Sequence, residues 1–339
     1  MTVPTYRQAG VDLEGAERHV ERIGPLVTAT WGPNVVGGFG GFAAGVALPD
    51  GYRRPVLMMS TDGVGTKLEL ARATGRWAGV GFDLVAMCVD DLAAAGARPL
   101  GFVDYLAVGA LDPVRDATIV ASIAEACAAA GCPLLGGETA EHPGVMDPDQ
   151  VDLAGAALGV VEQGEELGRA GVREGDLILG IRSPNLRSNG FSLVRAVFAG
   201  EPLDATSPVD PEAQLGESLL EPSVIYAPAV LAAVAGGGVR AAAHITGGGI
   251  PGNLVRALPD GLRAVVDRST WEEPPVFRAI RDRGVTEAAM VETFNLGIGF
   301  CLVVAPEAAD DATAAVADHG HDARVVGWVV AGEQGVDLV

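Results

Sequence analysis

The stretch Arg54-Pro55-Val56-Leu57-Met58-Met59-Ser60-Thr61-Asp62-Gly63-Val64-Gly65-Thr66-Lys67 decides how this chain reads. An uncharged, mostly apolar run ends in an aspartate and a turn with two glycines, which is the pattern of a buried strand entering a tight loop. Upstream, Leu13, Ala16, Val20, Ile23 and Val27 recur at helical spacing, so a helix is expected over residues 12–30, ahead of a glycine loop at 37–41. Downstream, residues 83–95 and 116–130 read as helices, and 100–108, 133–135 and 151–161 as strands. After the polar segment 162–169 the alternation restarts: strand 176–181, helices near 190–198 and 223–235, strand 241–245, and a strand-rich portion at 295–304. Such alternation predicts an α/β or α+β layered fold, with a division into units 1–168 and 169–339.

The 339 residues are 49 % hydrophobic and 20 % charged, the composition of a packed chain. Acidic residues number 44 against 23 basic ones, a formal charge of −21, and Lys67 is the single lysine. An acidic chain without a basic cluster has the wrong field for nucleic acid or anionic membranes. The apolar, uncharged stretch 222–239 carries two prolines and three consecutive glycines and is unsuited to crossing a bilayer. No apolar signal core follows Met1, so a cytoplasmic location is expected. Cys88, Cys127, Cys132 and Cys301 lie in apolar surroundings with no CxxC pair and read as buried, reduced thiols. The 47 glycines, about twice the usual share, suggest loops that approach a ligand closely.

The phosphate-binding P-loop GxxxxGK[ST] is absent. Gly247-Gly248-Gly249-Ile250-Pro251-Gly252 matches the dinucleotide fingerprint GxGxxG literally. Pro251 removes an amide from that loop, and the room before Pro259 is too short for a crossover helix, so the match is read as a decoy. Asp62, Asp90, Asp91 and Glu138 stand at strand ends, turns or an apolar helix face, where carboxylates need a partner or a cation. Their grouping in one half points to Mg²⁺ holding triphosphate oxygens.

Blocks along the chain resemble the phosphoribosylformylglycinamidine cyclo-ligase (aminoimidazole ribonucleotide synthetase) family: residues 6–12, the glycine loop 37–42, Ser60 to Leu68, Asp83 to Leu92, Gly136 to Gly144, Ser188 to Arg195, His244 to Gly249 and Phe294 to Gly299. They fall in family order. The resemblance implies a two-domain fold in which N-terminal halves form a β-barrel across a homodimer interface, with an α/β C-terminal domain outside. It implies ATP-dependent closure of formylglycinamidine ribonucleotide to aminoimidazole ribonucleotide, with ADP and phosphate released. The formyl oxygen is phosphorylated, and an amidine nitrogen of the same molecule then attacks.

Carried across, Asp62, Asp91 and Glu138 would hold Mg²⁺ against ATP, with Lys67 neutralising phosphoryl charge beside Gly63 and Thr66. Gly38, Gly40 and Gly41 would close over the nucleotide. Arg187, Ser188, Asn189, His244, Thr246, Gly247, Gly248 and Gly249 would meet the substrate, and Lys67, His244 and Asp91 would form the catalytic set. His244 is the candidate for proton handling, a hydrogen-bonding role being the alternative.

Two positions depart from the family pattern. Arg187 stands where the family usually has His and cannot shuttle protons, and Asp90 stands where Asn is common. Residues 28–35 also lack the family's basic residues. These changes leave open another ATP-using member of the superfamily, such as a small-molecule kinase or selenophosphate synthetase, or a non-catalytic nucleotide-binding paralogue.

Overall fold

Alternating exposure along Pro55–Gly63 makes it a half-buried strand rather than a fully buried one, and this strand begins the N-terminal sheet. The computed structural model describes residues 13–339, so the block at 6–12 and the expected first residue of the opening helix lie outside the described residues. Helix α1 (Leu13–Thr28) leads to the short ladder β1 (Val35–Val36) and β2 (Gly45–Val46), which brackets the glycine loop. Strand β3 (Pro55–Gly63) is followed by α2 (Leu68–Thr74), α3 (Val80–Ala94), β4 (Arg98–Val108), α4 (Pro113–Ala129), β5 (Leu134–Glu141) and β6 (Val151–Glu162). The sheet order is β3-β6-β4-β5. Only β4 and β5 are parallel, because α4 carries the chain back between them.

The C-terminal half contains β7 (Leu177–Arg182), α5 (Phe191–Val197), α6 (Leu215–Leu219), α7 (Ala227–Ala235), β8 (Val239–His244), α8 (Gly249–Leu254) and β9 (Leu262–Val266). It continues with α9 (Pro275–Arg281), α10 (Glu287–Thr293), β10 (Ile298–Val304), α11 (Ala309–Asp318), β11 (Ala323–Ala331) and β12 (Gly335–Leu338). Its sheet runs β12-β9-β11-β7-β10-β8 and is antiparallel except for β12 on β9. Helix α8 has six residues and follows an edge strand, so the GxGxxG segment opens no crossover, as its proline and length imply.

The two halves share one apolar core through α3, which is buried on nearly every side. Gly81 permits this: a Cβ there would stand 2.2 Å from the backbone of Ser122 and Ile123 in α4. All four cysteines are free and buried, and burial pushes the Cys88 and Cys301 thiols up to about 12. No helix among the described residues is long and apolar enough to cross a membrane.

Candidate active site

Asp83 and Asp90 lie seven residues apart on α3, two helical turns, so both face the C-terminal half. The Oδ1 of Asp83 accepts from Nζ of Lys67 at 2.8 Å and from the amide and hydroxyl of Ser223 at 3.0 and 2.6 Å. The Oδ1 of Asp90 accepts from the amides of Tyr226 and Ala227 at 2.8 and 2.9 Å, where α7 begins and a carboxylate suits the helix dipole. Its Oδ2 accepts from Nη2 of Arg187 at 2.7 Å. Asp91, one position further, lies at the rim of this interface and is half-exposed.

Lys67 does not face a ligand. Its Nζ is fully buried and donates to Asp83, to the carbonyl of Arg187 at 3.0 Å and to the carbonyl of Glu221 at 2.8 Å. An ammonium has three protons, and all three are engaged within the protein. Burial lowers the lysine and raises the Asp83 carboxyl from their ordinary values, each opposed by the other's charge. The expectation of a cation beside the phosphates is thereby corrected: the turn after β3 points this side chain inward, and Lys67 ties the halves together.

Arg187 is also buried rather than open to a phosphate. Besides Asp90, its Nη1 lies 2.6 Å from Nε2 of His244, its Nη2 donates to the carbonyl of Val224 at 3.0 Å, and its guanidinium stacks 4.8 Å from the Tyr226 ring. The two departures from the family pattern therefore touch each other. On the far side of the imidazole, Nδ1 lies 2.9 Å from Oδ1 of Asp91. The ring stacks on Phe300, its register neighbour across β8 and β10. Guanidinium nitrogens only donate, so Nε2 is the acceptor and Nδ1 carries the proton that Asp91 receives. Both ring nitrogens are occupied. His244 holds hydrogen bonds in this arrangement, the alternative to the proton-handling role expected of it.

Burial acts to raise the Asp91 pKa, but hydrogen bonds from His244 and from Ser60, at 3.4 Å, hold its carboxyl below the ordinary value. The carboxylate opens on a cleft of about 390 Å³ between the halves, lined also by Arg169, Asn253 and Arg256. Asn253 was not singled out in the sequence. Its Nδ2 donates to the carbonyls of Thr246, Gly247 and Gly249 at 3.3, 3.2 and 2.8 Å and so shapes the glycine loop from within. Gly248 and Gly249 have φ of +96° and +60°, and a Cβ on Gly249 would stand 2.0 Å from the Val291 carbonyl. Nearby, the hydroxyl of Ser188 donates to the Val64 carbonyl, Thr66 pairs with Ser192 across the halves, and Oδ1 of Asn189 is buried without a partner.

The expected carboxylate triad is not brought together. Among the described residues no three His, Cys, Asp or Glu side chains converge on a metal position. Asp62, Gly155, Asp104 and Gly137 form one row across β3, β6, β4 and β5, so Glu138 is three strands from Asp62, roughly 14 Å in a regular sheet. Being one residue off the row, it also takes the opposite face. Glu138 instead shares a cavity of about 670 Å³ with Gly38, Gly40 and Gly41 of the glycine loop. His19 lines it too and is buried 3.4 Å from Thr139. Burial pushes the Asp104 carboxyl in its wall up to about 7.

These two halves are those of a known class. Residues 43–161 match the family model "AIR synthase related protein, N-terminal domain", residues 173–338 match "AIR synthase related protein, C-terminal domain", and the chain belongs to this family. Within it, the chain is 50 % identical over 331 residues to a protein of Sorangium cellulosum (strain So ce56) named phosphoribosylformylglycinamidine cyclo-ligase, covering 96 % of this chain and 95 % of that one. A protein of the same name from Myxococcus xanthus (strain DK1622) is 48 % identical over 334 residues, covering 97 % and 96 %. The fold is shared with thiamine-monophosphate kinase from Stenotrophomonas maltophilia K279a, with a TM-score of 0.69 at 20 % identity over 97 % of this chain and 96 % of that one.

Proposed function

We propose that this protein closes the imidazole ring of aminoimidazole ribonucleotide from formylglycinamidine ribonucleotide, using ATP and releasing ADP and phosphate. The half-identity to cyclo-ligases along nearly the whole chain carries this reading. A formamide oxygen is a poor leaving group, so its phosphorylation precedes attack by the amidine nitrogen of the same molecule. Ring closure is intramolecular, which leaves the protein to fold the substrate and balance phosphoryl charge. In a chain of net charge −21, Arg169 and Arg256 supply positive charge at the cleft, and Asp91 is the ionised carboxylate beside them. The Thr246 to Gly249 loop and Asn189, with its free Oδ1, suit the ribonucleotide.

ATP is the expected co-substrate, with the glycine loop 37–41 as its cover. Mg²⁺ takes one or two carboxylates and completes its shell with phosphate and water. Asp62 and Asp91 suit it, since Asp62 shares a sheet face with Ser60, which hydrogen-bonds Asp91; Glu138 does not join them. When bound, the ion would neutralise phosphoryl charge.

The reading includes a homodimer in the cytoplasm and units divided near residue 168. Leu57, Met59, Val103 and Tyr105 leave an apolar patch on the open face of the N-terminal sheet, which favours cover by a second copy. Incubating the protein with MgATP and formylglycinamidine ribonucleotide tests the activity: ADP and aminoimidazole ribonucleotide should form in equal amounts, and ADP formed without the ribonucleotide product would contradict it.

A further inference from the structure

We propose that Arg187, anchored by Asp90, is a positioning residue that locks His244 in one orientation and thereby aims the Asp91 carboxylate into the cleft. The inference rests on the cleft being the cyclo-ligase site. Four side chains form one continuous path: Asp90 Oδ2 to Arg187 Nη2, 2.7 Å; Arg187 Nη1 to His244 Nε2, 2.6 Å; His244 Nδ1 to Asp91 Oδ1, 2.9 Å. The first three members are buried and the last reaches solvent.

Direction along this path is forced at its second step. Arginine has no acceptor, so the imidazole must present a bare Nε2 to it, and the single ring proton then belongs to Nδ1. Rotating the ring by half a turn would aim carbon at both Arg187 and Asp91. The guanidinium therefore selects both the tautomer and the rotamer that give Asp91 a donor.

Charge compensation for Asp90 alone would not require this arrangement, and Arg187 is held in it against local cost. Its φ of +61° lies in the left-handed region that non-glycine residues avoid. Its amide donates to Oδ1 of Asn185 at 2.9 Å, and its carbonyl accepts from Lys67, so both backbone groups are clamped. Its Nε is buried without an acceptor while both Nη atoms are engaged. A strained backbone and an orphaned donor are tolerated together where a particular side-chain direction is needed.

Arg187→Met alone would strand the Asp90 charge and endanger folding, so the test uses the double variant Asp90→Asn/Arg187→Met, which removes both charges. We expect the double variant to melt cooperatively, with turnover lowered about 10- to 100-fold, the usual effect of losing a residue that orients a site ligand, and with KM for ATP altered far less. In ¹⁵N-labelled wild-type protein, assigned against His244→Gln, the His244 ring should show a protonated Nδ1 and a bare Nε2. In the double variant this pattern should give way to mixed tautomers. A folded double variant with wild-type turnover, or a wild-type ring protonated at Nε2, would overturn the proposal. If wild-type protein lacks cyclo-ligase turnover, the functional reading fails separately, and the ring spectra still decide whether Arg187 sets the tautomer.

Discussion

The Nζ of Lys67 lies 3.0 Å from the carbonyl oxygen of Arg187, so the only lysine in the chain reaches from the N-terminal half to fix the backbone of the C-terminal residue that grips His244. Its second and third acceptors are Asp83 on α3 and the Glu221 carbonyl. Lys67→Met leaves the Asp83 carboxyl without its cation in a site sealed from water. Breaking a buried pair this way costs about 3–5 kcal/mol, and denaturant unfolding should show a loss of that order. Lys67→Met/Asp83→Asn should recover much of it. If Lys67→Met melted normally and only KM for ATP rose, Lys67 would be a phosphate contact after all.

The glycine loop before α8 allows a paired comparison. A Cβ at Gly247 meets nothing within 4 Å, whereas one at Gly249 collides with the Val291 carbonyl at a φ of +60°. Gly249→Ala should therefore cost about 1–3 kcal/mol, the range for forced overpacking, and raise KM for the ribonucleotide. Gly247→Ala should leave thermal stability near wild type. Equal melting of the two variants would mean the loop is not packed against the Val291 carbonyl as described.

Asp104 gives a pH signature. Its carboxyl is raised by burial to about 7, above the ordinary aspartate value, so between these limits the folded chain retains a proton that the unfolded chain has released. Stability then falls as pH rises from about 4 to about 7. Asp104→Asn should flatten this part of the stability curve and exceed wild type in stability above neutrality. Unfolding titrations at several pH values check it; parallel curves for the two proteins would refute the assignment.

Much of the fold was legible because its elements carry strong local patterns. The uncharged run into Asp62 became β3, the alanine-rich segment became α4, and the 151–161 run became β6. Among the elements left unnamed, β9, β12, α9 and α10 have seven residues or fewer, so periodicity has little length to accumulate; β11 and α11 are longer, and their short runs of apolar residues between charges carried too little pattern to be read. The site was legible residue by residue but not in its arrangement. Asp90 and Arg187 are separated by 97 positions, and only tertiary packing brings them to 2.7 Å. Spacing likewise could not reveal that strand order puts Glu138 three strands from Asp62 and register puts it on the opposite face, or that Lys67 turns inward.

The apolar patch on the N-terminal sheet bears on assembly. Leu57 and Met59 are 54 % and 76 % exposed, and a charge placed in this patch should oppose any copy seated there. Met59→Glu is expected to shift sedimentation from dimer to monomer with the chain still folded. A wild-type protein that sediments as a monomer at all concentrations would remove the dimer from the account.

The most direct measurement is turnover of formylglycinamidine ribonucleotide by wild type and by Asp91→Asn, with folding of both followed by melting. The account expects wild type to couple ADP release to aminoimidazole ribonucleotide formation. It expects Asp91→Asn, which keeps the shape and loses the charge at the cleft, to melt similarly and turn over at least about 100-fold more slowly, as when a charge placed for the transition state is removed. Full activity in folded Asp91→Asn, or no ribonucleotide product from wild type, would contradict the claim that ring closure occurs at this cleft.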